Sequence, residues 1–229
     1  MLAHYSHNVY IKHSLERCME TEEIKNLLGA GIILSVVIAM PSILNQSWTS
    51  ISQAAYYALI ILVVSVGAKK LVAASLDIRA EHRIWHMERF GFRPTAYFKN
   101  EVPTGIILPL VTSLITAGKL FLMTILTFEA RALRHRAAKR HGFYSFSEVT
   151  DWHNGLIGTS GVIASLFLAV ASYFFNEEPL AKFATFYAIT SLIPFSNLDG
   201  TQILFGSKTI WTVLVAITVI FFLYTLLLV

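Results

Sequence analysis

Three side chains of this 229-residue chain have the types and the spacing to hold a metal ion: His82, His86 and Asp199. No proline or glycine interrupts the stretch from Ala68 to Phe90, so a helix is expected to continue through Asp77–Glu88. On such a helix His82 and His86, four residues apart, share one face, about 40° from each other. Two imidazoles at that spacing grip one zinc. Zinc needs a third ligand, for which Asp199 is the candidate, and a catalytic site keeps a fourth position for water. The same residues also have ordinary readings. The two histidines could form a solvated stripe in a basic loop, and Asp199 could face water in the turn Asn197-Leu198-Asp199-Gly200. Depth weighs against the metal, because His82 lies roughly 20 Å along a straight helix beyond Lys69, which closes the second apolar run. Cys18 is the only cysteine, which excludes an intramolecular disulfide and a cysteine-rich zinc site.

The elements that must position these residues are apolar. Hydrophobic residues make up 55% of the chain and charged residues 14%, with mean hydropathy +0.60. Soluble domains carry about 25% charged residues. The balance excludes a cytosolic globular enzyme, a disordered tail and a nucleic-acid-binding module, and it predicts an all-α integral membrane protein. About 20 apolar residues are needed to cross the hydrocarbon. Six segments approach that length: Leu27–Leu44, Ser52–Ala68, Thr104–Phe128, Leu156–Phe175, Leu180–Phe195 and Thr209–Val229. Residues 1–26 are polar, carry no signal-peptide pattern, and read as a lead-in with a short surface helix over Ser14–Leu27. Residues 27–229 read as one polytopic membrane domain.

Charge sets the expected orientation, since Lys and Arg concentrate in cytoplasmic loops. Lys12, Arg17 and Lys25 precede the first span; Arg79, Arg83, Arg89, Arg93 and Lys99 follow the second; Arg131, Arg134, Arg136, Lys139 and Arg140 follow the third segment. The connections Asn45–Ser50 and Asn176–Pro179 carry no Lys or Arg. Six simple crossings would put Arg131–Arg140 outside. The conflict vanishes if Thr104–Phe128, which holds Pro109, Gly118 and Lys119, enters and leaves on one side. The expectation is therefore five spans plus a re-entrant or interfacial element, a cytoplasmic N-terminus and an outer C-terminus. Arg131–Arg140 then faces anionic lipid, and Asn45-Gln46-Ser47 is a glycosylation sequon in an outer loop.

The stretch Ser191-Leu-Ile-Pro194-Phe-Ser-Asn197-Leu-Asp199-Gly200 resembles the third motif of the site-2 protease family of intramembrane zinc metalloproteases, Asn-x-x-Pro-x-x-x-Leu-Asp-Gly. The resemblance puts Asp199 at the third zinc ligand, Pro194 at the proline, and Ser191 where the family has Asn. Gly158-Thr-Ser-Gly161-Val162-Ile-Ala-Ser165 looks like the family's Ala-Gly-Pro-x-x-Asn motif with Pro and Asn replaced. Glu22–Ile38, Phe90-Gly91, Tyr97-Phe98-Lys99 and Gly105–Lys119 are similar to archaeal members, which implies a plasma membrane. The departure is at the zinc-binding helix. The family carries His-Glu-x-x-His there, and this chain has no such string. Aligned on its histidines, His82-Arg83-Ile-Trp-His86 puts Arg83 in the place of the glutamate that takes the proton of zinc-bound water. Arginine stays protonated and repels a divalent cation.

The resemblance thus implies a site-2-protease-like core that has lost peptidase activity and serves as a structural, binding or regulatory membrane subunit. It implies no catalytic residue and no cofactor. Its expected partners are the lipid bilayer and a membrane protein or a second copy, not nucleic acid. Two alternatives stay open. One is an active intramembrane zinc metalloprotease using His82, His86 and Asp199. The other is an unrelated accessory subunit of a multi-chain membrane complex.

Overall fold

In a computed structural model of the protein, the backbone is described for residues 2–44, 46, 48–89, 97–132 and 149–228, and side chains for 21–44, 46, 51–87, 98, 101–132 and 149–227. The sequon residues Asn45 and Ser47, Phe90-Gly91, Arg93, and the basic stretch from Arg134 to Arg140 lie outside the described residues, as do the side chains of Cys18 and Lys99.

The apolar runs form long helices. Helix α1 (Leu2–Leu44) runs without a break through both the polar lead-in and the first apolar segment, so Ser14–Leu27 is not a separate element. Helix α2 (Trp48–Ser75) follows and packs along it. Two small antiparallel pairs come next: β1 (Ile78–Ile84) with β4 (Leu126–Ala132), and β2 (Met87–Arg89) with β3 (Tyr97–Val102). Helix α3 (Thr104–Ile115) lies between β3 and β4. Helices α4 (Asp151–Phe174), α5 (Glu178–Ser191), α6 (Asp199–Gly206) and α7 (Lys208–Leu228) complete the described chain.

Among the described residues four helices are long and apolar enough to cross a membrane: Thr21–Leu44, Ile51–Ser75, Asp151–Phe174 and Lys208–Leu227. The expected fifth span, Leu180–Phe195, does not form as one such helix. Leu180–Phe195 holds only the 14-residue α5, about 21 Å long against the ~30 Å of a hydrocarbon core. Pro194 has no N–H to continue the helix, Ser196 turns left-handed (φ 51°), and the chain restarts as α6 at Asp199. Gly200 sits against the Leu192 carbonyl, where a Cβ has no room. The freed Leu192 carbonyl accepts the indole N–H of Trp211 at 3.1 Å. Together α5 and α6 run antiparallel to α4. The Glu177 N–H meets the Ser172 carbonyl near the C-terminus of α4, and Gly206 meets Gly155 and the Asp151 carbonyl near its N-terminus.

The expected helix over Asp77–Glu88 is also corrected. Asp77 takes a left-handed conformation (φ 56°), α2 stops at Ser75, and residues 78–84 form a strand. The alternation explains most of it: Ile78, Ala80 and His82 are buried while Arg79 and Arg83 are not, and Glu81 is the exception, buried beside Arg79 and Arg131. The fold is therefore helical with two short sheets, not all-α.

Segment 104–128 goes out as a helix and returns extended. Thr116–Leu120 turns the chain, Gly118 (φ 72°) packs on Pro41 of α1, and the return brings Ile125 beside the start of α3. The Trp85 N–H donates to the Ile125 carbonyl, and the Gly105 N–H donates to the Trp85 carbonyl, both at 2.9 Å. Twelve helical residues span about 18 Å and six extended ones about 20 Å, so the two limbs match in length. The molecule is thus two-ended. The β1–β4 sheet, Glu23, Lys70, and the start of α4 gather at one end. Pairs Tyr57–Glu177 (3.2 Å) and Tyr173–Tyr224 (3.1 Å) mark the other.

A candidate site built on a buried lysine–aspartate pair

Asp199 is 2% exposed. Its partner is neither histidine but Lys69, which is 1% exposed and donates to Asp199 Oδ2. Reading Lys69 as the interfacial end of the second span is therefore a correction: α2 continues six residues past it, through Leu71-Val72-Ala73-Ala74. Burying one charge is costly, and two opposite charges in contact offset much of that cost. The pair joins the last third of α2 to the restart of the broken α5–α6 helix.

Helix α4 makes room for it. Gly155, Gly158 and Gly161 form a seam in which Gly155 meets Gly206, Gly158 meets Ile203, and Gly161 meets the Lys69 stem and Ser65 Oγ. Any side chain at Gly161 would press on the lysine. Ser65 lies one helical turn before Lys69 on the same face of α2, completely buried, and its hydroxyl has no partner; Asp199 Oδ1 has none either. Phe128 of β4 covers the lysine, with Nζ 5.4 Å from the ring centroid, a cation–π contact. Gln202 of α6 donates to the Phe128 carbonyl at 3.1 Å and ties the sheet to the same corner.

The two histidines part company. His82 is wholly buried in β1, where its backbone N–H and Nδ1 each meet Glu23 Oε1 at 3.2 Å. Glu23 also takes Lys70 at 2.8 Å. Burial, reinforced by repulsion from the Lys69 ammonium, pushes the His82 imidazole down to about 4 against the opposing pull of Glu23. The ring is neutral at pH 7, its Nδ1 proton turned to Glu23 and its Nε2 buried without a partner. His86 is exposed past the end of β1, with Nδ1 held at 2.7 Å by the Ile84 carbonyl. A strand and a turn thus replace the shared helical face. Among the described residues no three His, Cys, Asp or Glu side chains converge to hold a metal.

Arg83 is also elsewhere. It is half-exposed on β1 and pairs with Glu129 of β4 at 3.1 Å. The other motif residues have structural places. The Ser191 hydroxyl donates to the Ala188 carbonyl at 2.9 Å, Pro194 is exposed in the break, and the Asn197 carbonyl accepts Gln202 at 3.3 Å. An apolar run closed at Ala68 leaves Lys69 outside it, and Ser65 within the run carries no signal of its own. A lysine with apolar residues on both sides of it, in a chain whose other apolar break carries a lone carboxylate, was the available signal. The site is a closed ion pair with an unused hydroxyl beside it, and zinc does not fit it, because a tethered ammonium already holds the only carboxylate there. No protein-family model matches the chain, and neither a curated protein nor a solved structure matches it.

Proposed function

We propose that this chain is a site-2-protease-like polytopic membrane protein without peptidase chemistry, serving as a structural, binding or regulatory membrane subunit. The single observation that carries the reading is the Lys69–Asp199 contact. In the resemblance noted above, Asp199 is the third zinc ligand, and the other two come from His-Glu-x-x-His on a helix. The helix opposite Asp199 is α2, and on it Ser65-Val66-Gly67-Ala68-Lys69 has that five-residue spacing. Serine and lysine stand for the histidines and valine for the glutamate. No group there takes a proton from water, and a cation is already in place. The disabling cation is thus Lys69 rather than Arg83.

The two-ended layout supports the membrane placement. With the sheet end cytoplasmic, α1, α2, α4, the broken α5–α6 and α7 make five crossings, segment 104–128 is re-entrant, and the C-terminus lies outside. A plasma membrane follows from the archaeal resemblance.

The test is metal content and its reconstruction. The purified full chain carries no stoichiometric zinc. The triple variant Ser65→His, Val66→Glu, Lys69→His restores the ligand set around Asp199 and takes up zinc, and adding Asp199→Ala abolishes the uptake. Stoichiometric zinc in the natural chain, lost in Asp199→Ala, overturns the reading and favours a working metalloprotease. A folded triple variant that takes up no zinc overturns the assignment of α2 as the zinc-helix counterpart.

A further inference from the structure

Helices α4 and α7 run parallel, and an apolar crevice lies between them. Its part nearer the sheet end has a volume of about 530 Å³ and is walled by Ile163, Phe167, Val213, Ile217 and Phe221. A second part of about 330 Å³, sharing Val170 and Phe221, carries it on to the Tyr173–Tyr224 hydroxyl pair at the far end. The crevice therefore follows the whole α4–α7 seam.

Its sheet-end mouth is polar. Lys208 opens α7, is exposed, and has no carboxylate partner among the described residues. The start of a 21-residue helix adds the positive end of a dipole. Just inside the mouth, Thr159 lines the crevice, is 9% exposed, and has a hydroxyl without a hydrogen-bond partner. That is unusual on this helix. Ser160, Ser165 and Ser172 of α4 all donate back to a carbonyl one turn earlier.

We propose that the crevice holds one anionic glycerophospholipid. An acyl chain lies along the α4–α7 seam, the Thr159 hydroxyl turns about χ1 from its buried position to donate to an ester carbonyl, and the phosphate sits at Lys208 and the start of α7. The walls argue against a partner helix. Close helix packing uses small residues, and those of α4, Gly155, Gly158 and Gly161, are spent on α6 and Lys69. The crevice side offers the bulky Ile163 and Phe167, which do not allow that close approach. The inference uses the membrane placement but not the loss of peptidase chemistry, so zinc content does not bear on it.

The test is native mass spectrometry of the full chain released from nanodiscs of equimolar phosphatidylglycerol and phosphatidylcholine. The natural chain retains one lipid, with phosphatidylglycerol favoured about fivefold, the worth of one lysine at an anionic surface. Lys208→Glu abolishes the preference while a lipid is still held. Thr159→Val, which keeps shape, weakens retention of both lipids. Ile163→Trp, which fills the crevice, removes the lipid. Absence of retained lipid in the natural chain, equal retention of both lipids, a preference unchanged by Lys208→Glu, or a second protein chain in the lipid's place each overturns it.

Discussion

Two of the places where the described residues set opposite charges together differ in almost every respect. Inside the bundle, Lys69 and Asp199 form one isolated pair, 1% and 3% exposed at their side chains, under Phe128 and against Gly161. On the β1–β4 sheet, Arg79, Arg83 and Arg131 interleave with Glu81 and Glu129, at 3.1–3.7 Å, all partly exposed except the buried Glu81. The pairing of a cationic side chain with a carboxylate does different things in the two settings. The sheet ladder exchanges its partners with water at little cost, so it shapes a surface. The buried pair has no such exchange. Losing either member strands the other in a low-dielectric interior, so the pair dictates how α2, α4 and α6 meet.

The comparison breaks most visibly at its buried end. Lys69→Met leaves Asp199 uncompensated and costs about 3–5 kcal/mol, as does Asp199→Leu. Thermal unfolding in mild detergent and the yield of folded protein read both. Equal stability to the natural chain would mean the pair is not buried. A smaller effect comes from the corner that links the two regions. His82 is neutral in the fold, its imidazole held down to about 4 from the ordinary 6.5. The unfolded chain takes a proton there as pH falls through about 6.5, whereas the fold resists until about 4. Stability contributed by the neutral ring is complete above about 6.5, falls across that window, and levels off below it, by as much as about 3 kcal/mol. His82→Gln removes this pH dependence; a profile unchanged by the substitution would contradict the burial of the ring.

Next comes the seam. Gly161→Val pushes on the Lys69 stem and on Ser65, with an overpacking cost of about 1–3 kcal/mol that Lys69→Met, a shorter and uncharged neighbour, partly relieves. Strict additivity of the two substitutions would show that they do not touch. The smallest effect is at the sheet: Arg83→Ala or Glu129→Ala changes stability by less than about 1 kcal/mol, and less still in high salt. A loss as large as that of Lys69→Met would reverse the comparison.

Much of this was legible in the residues, and the failures share a cause. Membrane-length apolar helices, the out-and-back course of 104–128, and the singular Asp199 follow from hydropathy, charge bias and the rule that a carboxylate among apolar residues needs a partner. The partner itself was misplaced. Absence of proline and glycine from 69 to 89 favours a continuous helix, whereas Ile78-Arg-Ala-Glu-His-Arg-Ile84 carries much of a strand's alternation. Ending the span at Ala68 then turned Lys69 into an interface marker, and the imidazoles were asked to do what the lysine does. Spacing in sequence predicts proximity only once the element type is right. A four-residue interval shares a face on a helix, but His86 lies past the end of the strand that buries His82. Nothing local to Lys69 names Asp199 as its partner, since the contact joins residues 130 apart.

A double-mutant cycle on Lys69 and Asp199 bears most directly on the account. Lys69→Met, Asp199→Leu and the combined variant are compared by unfolding in the same detergent. With the charges in contact, each single substitution is severe, and the combined variant regains several kcal/mol, approaching or exceeding the natural chain. A coupling near zero, with the combined variant as damaged as the sum of the two, would show that the ammonium and the carboxylate do not meet.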